Sequence, residues 1–193
     1  MASLTSQVLT VLSNSEQLVV RKATMRDIHP ILKLINGYAS AGIMLPRTEF
    51  EMSENIRDFS VAYADGQLVG CGALHYYTPT SGEVRSLAVD PNIKAHGIGR
   101  RIVDGLEKEA IENELHAIFA FTYVPDFFRR LGFREVERGE LPLKVWKDCL
   151  RCPKFQCCDE IAVVKALRPD FILQSSVEPE ANLVQLPNLK PVS

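Results

Sequence analysis

The alternation of apolar and polar residues predicts strands and helices in turn from residue 18 to residue 167. Residues 17–24 form a strand-like run, and apolar residues at helical spacing follow between residues 28 and 40. A short helix is predicted at 49–56. Three strand-like runs then lie between residues 59 and 90, and Asp65-Gly66 is a strong hairpin signal between the first two. A turn at Thr80-Ser81-Gly82 is expected to lead into the third.

The second half begins with a helix whose apolar residues share one face. These residues are Ile98, Ile102, Val103, Leu106 and Ala110. A near-continuous apolar run at 115–123 predicts a strand buried on both faces. A short helix ending at Gly132, a strand with a turn, a helix at 141–150 and a last strand at 159–167 complete the pattern.

This order of elements predicts an α/β (α+β) fold in one domain over residues 18–167. The sheet is expected to be mixed and mostly antiparallel, with helices on its faces. Residues 1–17 are predicted to be an N-terminal extension. Residues 168–193 contain four prolines and no clear period, and are predicted to be an irregular tail.

Composition narrows the function classes. The chain of 193 residues is 46% hydrophobic and 24% charged, with a net charge of −2. This balance gives no electrostatic reason to expect nucleic acid or an anionic membrane as partner. No apolar run approaches the roughly 20 residues that a membrane span needs. The N-terminus lacks the basic start of a secretory signal, so a cytoplasmic protein with reduced cysteines is predicted.

The main chemical signal is a glycine-rich turn between a strand and a helix. Gly97 and Gly99 open the helix, Lys94 precedes them, and Arg100 and Arg101 follow. Amide groups at a helix N-terminus attract anions, and glycine lets the backbone approach a bound group. The spacing therefore favours a phosphate cradle, while a plain turn with solvated basic residues stays open. The Walker pattern is absent, and the dinucleotide fingerprint would need a third glycine where this chain has Ile102.

Lys94-Ala95-His96-Gly97-Ile98-Gly99 resembles motif A of the GNAT superfamily of acetyltransferases, with lysine in place of the usual Gln or Arg. The runs "VRSLAVDP" and "FFRRLGF" also resemble that family. The resemblance implies acetyl-CoA as co-substrate, with no metal needed for catalysis. It implies that the pyrophosphate binds Lys94, Ala95, His96, Gly97, Ile98, Gly99 and Arg100, and the pantetheine arm Leu87, Ala88 and Val89. Family members often form dimers, so a homodimer is an open expectation.

Four longer segments are similar to the short, stand-alone form of amino-acid N-acetyltransferase, which resembles the acetyltransferase domain of N-acetylglutamate synthase. They are "GIMLPRTEFEM", "GEVRSLAVDP", "FTYVPDFFRRLGF" and "LPLKVWKDCLRCPKFQCCDEIAVVKAL". This similarity implies acetyl transfer to the α-amine of L-glutamate, the first step of arginine biosynthesis. Arg47 and Arg85 are the candidates for binding its carboxylates, because a guanidinium matches carboxylate geometry. A surface position or a structural ion pair is the alternative for each.

Acetyl transfer also needs a base and an acid. Glu83 is the candidate base, acting through water, although it lies two residues from Arg85 on the same strand face and an ion pair would also explain it. Many GNAT enzymes use a tyrosine as acid where this chain has Phe127-Phe128. Tyr123 is the nearest replacement, with substrate contact or simple packing as alternatives. His75 and His96 are expected to be structural or solvent-facing.

Four of the five cysteines fall within ten residues, at 149, 152, 157 and 158. Cys149, Cys152 and Cys158 are weak candidates for a zinc site, because C-x-x-C is a metal spacing. A set of small, partly buried thiols is the alternative.

Two other functions stay open at this stage. One is acetyl transfer to another amino acid, a small amine or a protein amine. The other is a non-catalytic acyl-CoA-binding module, which needs only the glycine turn. A pocket for a polyamine or a lysine side chain should be acidic, and the two cations Arg47 and Arg85 argue against such a pocket.

Overall fold

A computed structural model describes residues 18–93, 97–141, 152, 154 and 157–171. The predicted N-terminal extension, nearly all of the predicted tail and all but the first residue of the helix expected at 141–150 lie outside these residues. Within the described part of the chain, no helix is both long enough and apolar enough to cross a membrane.

The core of the fold is a seven-stranded sheet with the order β1-β2-β3-β4-β5-β7-β6. Only β4 and β5 pair in parallel among the described strands. This arrangement confirms the predicted mixed, mostly antiparallel sheet. The strands are β1 (Leu18–Lys22), β2 (Phe59–Ala64), β3 (Gln67–Thr78), β4 (Ser81–Val89), β5 (Ala117–Thr122), β6 (Arg134–Val136) and β7 (Ile161–Ala166).

The helices are α1 (Ile28–Ser40), α2 (Glu49–Asn55), α3 (Ile98–Glu112) and α4 (Pro125–Arg129). All five apolar residues predicted for one face of α3 are buried, and they pack with Leu74 and Val84 of the sheet. Residues of α1 and α2 pack with Ala73 and Ala88. Neighbouring residues of a strand point to opposite faces, so α3 covers one face of the sheet and α1 with α2 cover the other.

The two predicted hairpin turns have different outcomes. Asp65 and Gly66 both have positive φ, 47° and 75°, as a tight turn of this class requires. The second turn lies earlier than predicted. Ser81 already pairs with Thr78, so Pro79 and Thr80 form the turn and Gly82 is inside β4. The serine and glycine resembled turn residues, but the packing of β4 in the sheet overrides that local preference.

One irregularity in β4 shapes the centre of the sheet. Cys71 pairs with Ala88 and Ala73 pairs with Arg85, so β4 has one more residue than β3 in this interval. The extra residue is accommodated by a β-bulge at Ser86, whose φ is +53°. Beside it, the parallel pairing of β4 with β5 covers Ser81–Glu83 only. β4 therefore pairs with β5 from Ser81 to Glu83, and beyond Glu83 the two strands separate.

Candidate active site

The glycine turn places backbone amides at the N-terminus of α3. Gly97 precedes the helix with φ +74° and ψ 4°, a left-handed conformation that favours glycine. Arg101 donates its amide to the Gly97 carbonyl at 3.0 Å. The amides of Ile98, Gly99 and Arg100 precede this first helical bond, and such groups are available to an anion. Lys94, Ala95 and His96, also predicted to bind the pyrophosphate, lie outside the described residues.

Gly99 sits where three elements meet. A Cβ added to it would lie 3.3 Å from the ζ carbon of Phe127 and 3.7 Å from Cγ2 of Val89. Any larger residue here would push against the aromatic ring or fill the space beside the end of β4. The glycine therefore keeps this end of α3 open, as a backbone cradle requires.

Leu87, Ala88 and Val89, the predicted pantetheine contacts, follow the bulge. Leu87 and Val89 pack towards α3, whereas Ala88 is buried on the side of α1. Tyr38 of α1 donates its hydroxyl to the Val89 carbonyl at 2.6 Å. The end of β4 is thus fixed to α1 through a hydrogen bond that the sequence pattern did not reveal.

A line of polar side chains, here called the polar strip, crosses the α1/α2 face of the sheet. It consists of Asp58, His75, Glu83 and Arg85. On one side lies the apolar cluster of α1 and α2, and on the other a cluster around Phe119 and Val164. Polar groups between two apolar clusters carry a desolvation cost that favours mutual pairing.

Glu83 and Arg85 form the buried part of the polar strip. Glu83 is 2% exposed and is the last residue of β4 that pairs with β5, opposite Phe119. The Arg85 side chain is 10% exposed, and its Nη2 lies 3.8 Å from Oδ2 of Asp58. The candidate base therefore lies where β4 and β5 part, with the candidate substrate arginine two residues further along the same strand.

Asp58 and His75 form the more exposed part. Asp58 ends a 3-10 turn, Ile56–Asp58, and its Oδ2 lies 2.6 Å from Nδ1 of His75. His75 is the antiparallel partner of Glu83 in the β3–β4 pairing. His75 was expected to be structural or solvent-facing, and its half-buried side chain is in hydrogen-bond contact with Asp58.

Arg47 lies in the loop between α1 and α2. The carboxamide of Asn36 accepts a hydrogen bond from the Arg47 amide at 2.9 Å and donates one to the Arg47 carbonyl at 3.0 Å. Met44 of the same loop packs against the α1/α2 cluster. The loop carrying the second candidate substrate arginine is thus anchored to α1 beside the face that carries the polar strip.

Tyr123, the candidate acid, follows the end of β5 and lies in a different network. Its hydroxyl donates to Oδ1 of Asp159 at 2.9 Å and accepts from Nζ of Lys154 at 3.2 Å. Burial and the hydrogen bond to Asp159 raise the pKa of Tyr123. At the position where the family has its tyrosine, Phe128 is buried and packs edge-on against Phe127 and Phe133.

The cysteine cluster is only partly described. Cys152 and Cys158 are half-buried, Cys157 is exposed, and the Cys158 thiol lies 3.8 Å from Oε2 of Glu160. Cys149, the remaining candidate ligand, lies outside the described residues. Within the part of the chain that the structure describes, no group of three or more potential ligands could hold a metal ion.

The residues that sequence reasoning missed are Asn36, Tyr38 and Asp58. The pairing of His75 with Glu83 was also missed, because the turn was predicted at residues 80–82, whereas the observed hairpin is centred near residue 79. Asn36, Tyr38 and Asp58 each form a contact with a residue on a distant segment of the chain. No local sequence pattern marks such a contact.

Comparison with known proteins places this geometry among acetyltransferases. Residues 28–133 match the model of the acetyltransferase (GNAT) family. An uncharacterised N-acetyltransferase of Chlorobaculum tepidum is 43% identical, over 77% of this chain and 96% of that protein. An amino-acid acetyltransferase of Mycobacterium tuberculosis is 38% identical, over 69% of this chain and 78% of that protein. A Pseudomonas putida protein of the same name is 31% identical, and the chain spans only 31% of its length.

Two solved structures have the same architecture. Rv2747 of Mycobacterium tuberculosis, in complex with CoA and NLQ, superimposes with a TM-score of 0.69 at 31% identity, covering 78% of this chain and 99% of that chain. N-acetylglutamate synthase of Neisseria gonorrhoeae, complexed with coenzyme A and N-acetyl-glutamate, gives a TM-score of 0.69 at 27% identity. That match covers 78% of this chain but only 35% of the synthase. These matches confirm the resemblance found in the sequence.

Proposed function

The chain belongs to the GNAT family of acetyltransferases, which use acetyl-CoA, and we propose that it acetylates the α-amino group of L-glutamate, the first step of arginine biosynthesis. The observation that carries this proposal is the polar strip. It sets a buried carboxylate, Glu83, two residues from a buried guanidinium, Arg85, at the point where β4 and β5 part. A base beside a carboxylate-binding group is what an amino-acid acceptor requires.

The donor site is proposed to lie along the end of β4 and the start of α3. Acetyl-CoA supplies the acetyl group as a thioester. The amides from Gly97 to Arg100 would bind its pyrophosphate, because they are at a helix N-terminus and glycine keeps the backbone accessible there. The backbone of Leu87, Ala88 and Val89 would pair with the pantetheine arm.

Arg85 and Arg47 are proposed to bind the two carboxylates of the acceptor. The 3.8 Å between Arg85 and Asp58 exceeds a direct hydrogen bond, so the guanidinium is neutralised without a short contact to that carboxylate. The loop of Arg47 is held by Asn36, which limits the conformational entropy lost when a ligand binds. The mycobacterial and neisserial relatives support an amino-acid acceptor through the names and complexes reported for them.

The chemistry follows from these positions. Glu83 takes a proton from the α-ammonium through a water molecule, and the free amine attacks the thioester carbonyl. Amides near Leu87 and Ala88 stabilise the oxyanion that forms. As the C–S bond breaks, the new C–N bond remains and the attacking nitrogen loses its second proton. The departing thiolate takes one proton, so the net release is the one proton that Glu83 accepted. Tyr123 is the proposed proton donor to the thiolate, because a tyrosine hydroxyl is protonated at neutral pH, and the second proton lost by the nitrogen restores it.

A second acceptor class is favoured by one specific observation. The polar strip contains two acidic residues, Asp58 and Glu83, beside the single arginine Arg85. An amine without carboxylates, such as a polyamine, would suit such a balance of charge. Arg47 opposes this alternative, because its cation lies in the loop next to the same face.

An acceptor panel separates these functions. Purified protein is mixed with acetyl-CoA and either L-glutamate, L-glutamine, L-aspartate or spermidine, and thiol release is followed. We expect saturable release with glutamate. In Arg47→Ala and Arg85→Ala, KM for glutamate should rise about 10- to 100-fold, since a hydrogen bond to a charged group contributes roughly 1.5–3 kcal/mol. Arg26→Ala is the matched control, because Arg26 is exposed on a turn that does not contribute to the polar strip.

Saturation with spermidine but not with glutamate would contradict the proposal and favour the amine acceptor. Equal KM values for glutamate in all three arginine variants would remove the two proposed carboxylate contacts.

A further inference from the structure

We propose that His75, held by Asp58, carries the proton from Glu83 to solvent, an inference that rests on the proposed role of Glu83 as base. His75 would then be a positioning and relay residue of the acetyl transfer. The sequence alone gave it no such role. Three features support this role: the register of β3 and β4, the exposure of the side chains and the contact of His75 with Asp58.

The register places His75 beside Glu83. The two residues are direct partners in the antiparallel pairing, so both side chains project from the same face of the sheet. Directly opposite residues have Cβ atoms about 5 Å apart. An imidazole and a carboxylate at that separation can contact each other, either directly or through one water molecule.

Burial limits the routes by which Glu83 can lose a proton. Glu83 is 2% exposed, so its carboxylate has little direct contact with bulk water. The side chains of His75 and Asp58 are each 21% exposed, which places them between the buried carboxylate and the surface. Every turnover delivers one proton to the base, and the base must lose it before the next acceptor can react.

The contact with Asp58 determines which nitrogen of the His75 imidazole carries the hydrogen and which one can accept a proton. Its Oδ2 lies 2.6 Å from Nδ1 of His75. An ionised carboxylate only accepts hydrogen bonds, so Nδ1 carries the hydrogen and Nε2 is the basic nitrogen. Nε2 takes the proton from Glu83 and gives it to water, while the N–H at Nδ1 stays in place. Only a proton moves, and no other bond changes.

Side chains from three elements, the 3-10 turn, β3 and β4, face His75. Asp58 comes from the 3-10 turn, and Tyr77 of β3 lies edge-on with ring centroids 5.0 Å apart. Glu83 and Arg85 come from β4, and Arg85 reaches the same Asp58 oxygen. The charged side chains near the imidazole on these elements are thus two carboxylates and one guanidinium.

The test compares wild type with His75→Ala, His75→Gln and Asp58→Asn, and uses whichever acceptor gives the highest rate. kcat and KM are measured from pH 6 to pH 9, with and without added imidazole. We expect kcat of His75→Ala to fall about 10- to 100-fold, a smaller loss than the 10²–10⁴ typical of a direct acid or base. KM should change less than about threefold, and imidazole should restore part of kcat. Asp58→Asn should change the shape of the pH profile.

His75→Gln distinguishes a relay from a structural role, because glutamine can keep a hydrogen bond to Asp58 but cannot carry the proton. Wild-type kcat and pH profile in His75→Gln, with an unchanged melting temperature, would overturn the relay while leaving acetyl transfer intact. Full activity in Glu83→Gln would overturn it as well, because the base would then be elsewhere. A wild-type protein inactive with every amine would overturn the relay and the proposed function together.

Discussion

The carboxamide of Asn36 holds the peptide groups at Arg47 from both sides, with hydrogen bonds of 3.0 Å and 2.9 Å. One residue of α1 thereby determines where the loop before α2 places a candidate substrate arginine. Loops lose backbone hydrogen-bonding partners that helices and strands have, and a side-chain amide is well suited to replace them because it both donates and accepts. The contact joins residues eleven positions apart.

Asn36→Ala tests this relationship. Two hydrogen bonds at roughly 0.5–1.5 kcal/mol each predict a rise of about 5- to 160-fold in KM for the acceptor, with little change in KM for acetyl-CoA. Steady-state kinetics with each substrate varied in turn measures both values. Ser40→Ala is the control, since Ser40 ends the same helix and its hydroxyl bonds only to the Asn36 carbonyl. Equal acceptor KM values in the two variants would show that the two hydrogen bonds of Asn36 do not position Arg47.

Gly97→Ala tests the anion cradle against a matched glycine. Gly97 and Gly42 have φ of +74° and +70°, and a Cβ on either would meet nothing within 4 Å. Both alanine variants should lose about 1–2 kcal/mol of stability from the left-handed backbone. Only Gly97→Ala should also weaken acetyl-CoA binding, by about tenfold or more, because only Gly97 precedes α3. Calorimetric titration with acetyl-CoA gives the comparison, and equal affinities would contradict the cradle.

Ser86→Gly tests whether the bulge in β4 is strained. A non-glycine residue at φ +53° costs about 1–2 kcal/mol, whereas glycine adopts this conformation freely. Since glycine also gains entropy in the unfolded chain, we expect Ser86→Gly to stay within about 1 kcal/mol of wild type. Ser86→Val should lose about 2 kcal/mol or more, because a β-branched residue fits this backbone poorly. Urea unfolding measures both, and similar losses in both variants would refute the strain.

Asp27→Asn tests the ionic contact at the start of α1. Hydrogen bonds from Arg21, at 2.8 and 2.9 Å, with others from Thr24 and Tyr63, hold the pKa of Asp27 well below its usual range. A lowered native pKa stabilises the fold above the unfolded value of roughly 3.9, and that contribution is lost as pH falls below it. The variant should lose about 2–3 kcal/mol at pH 7.

The loss should shrink as pH falls below about 4, because the Asp27 carboxyl then becomes protonated in the unfolded chain while it is still ionised in the fold, which favours unfolding of the wild type. Urea unfolding at pH 7, 5 and 3 follows the change. Asp104→Asn is the control, since Asp104 is exposed and lies 3.7 Å from Arg100 on the helix surface. A deficit in Asp27→Asn that is the same at all three pH values would contradict the ionic account.

The periodic elements were predictable from sequence because local spacing determines them. The stripe from Ile98 to Ala110 repeats with the period of a helix, and all its residues are buried. Asp65-Gly66 was predictable because few other dipeptides accept two positive φ values. The order of elements followed from these local patterns, and the family resemblance added the prediction of the donor site. The catalytic and substrate roles of Glu83, Tyr123, Arg47 and Arg85 stay predictions.

Contacts between distant segments were not predictable. The bulge at Ser86 has no sequence signal, since serine is not a residue expected at positive φ. Asp58 approaches His75 and Arg85 only because the turn before β2 ends beside the hairpin of β3 and β4. Tyr123 was considered as an acid from its position alone, and its contacts with Asp159 and Lys154 depend on the chain leading into β7.

The most direct measurement is the identity of the product. Purified protein is incubated with acetyl-CoA and L-glutamate, released thiol is titrated, and the acetylated product is identified by mass spectrometry and NMR. The account predicts one equivalent of N-acetyl-L-glutamate per equivalent of CoA, with Arg85→Ala requiring far more glutamate to reach the same rate. Acetylation of an amine without carboxylates, with glutamate left unmodified, would contradict it.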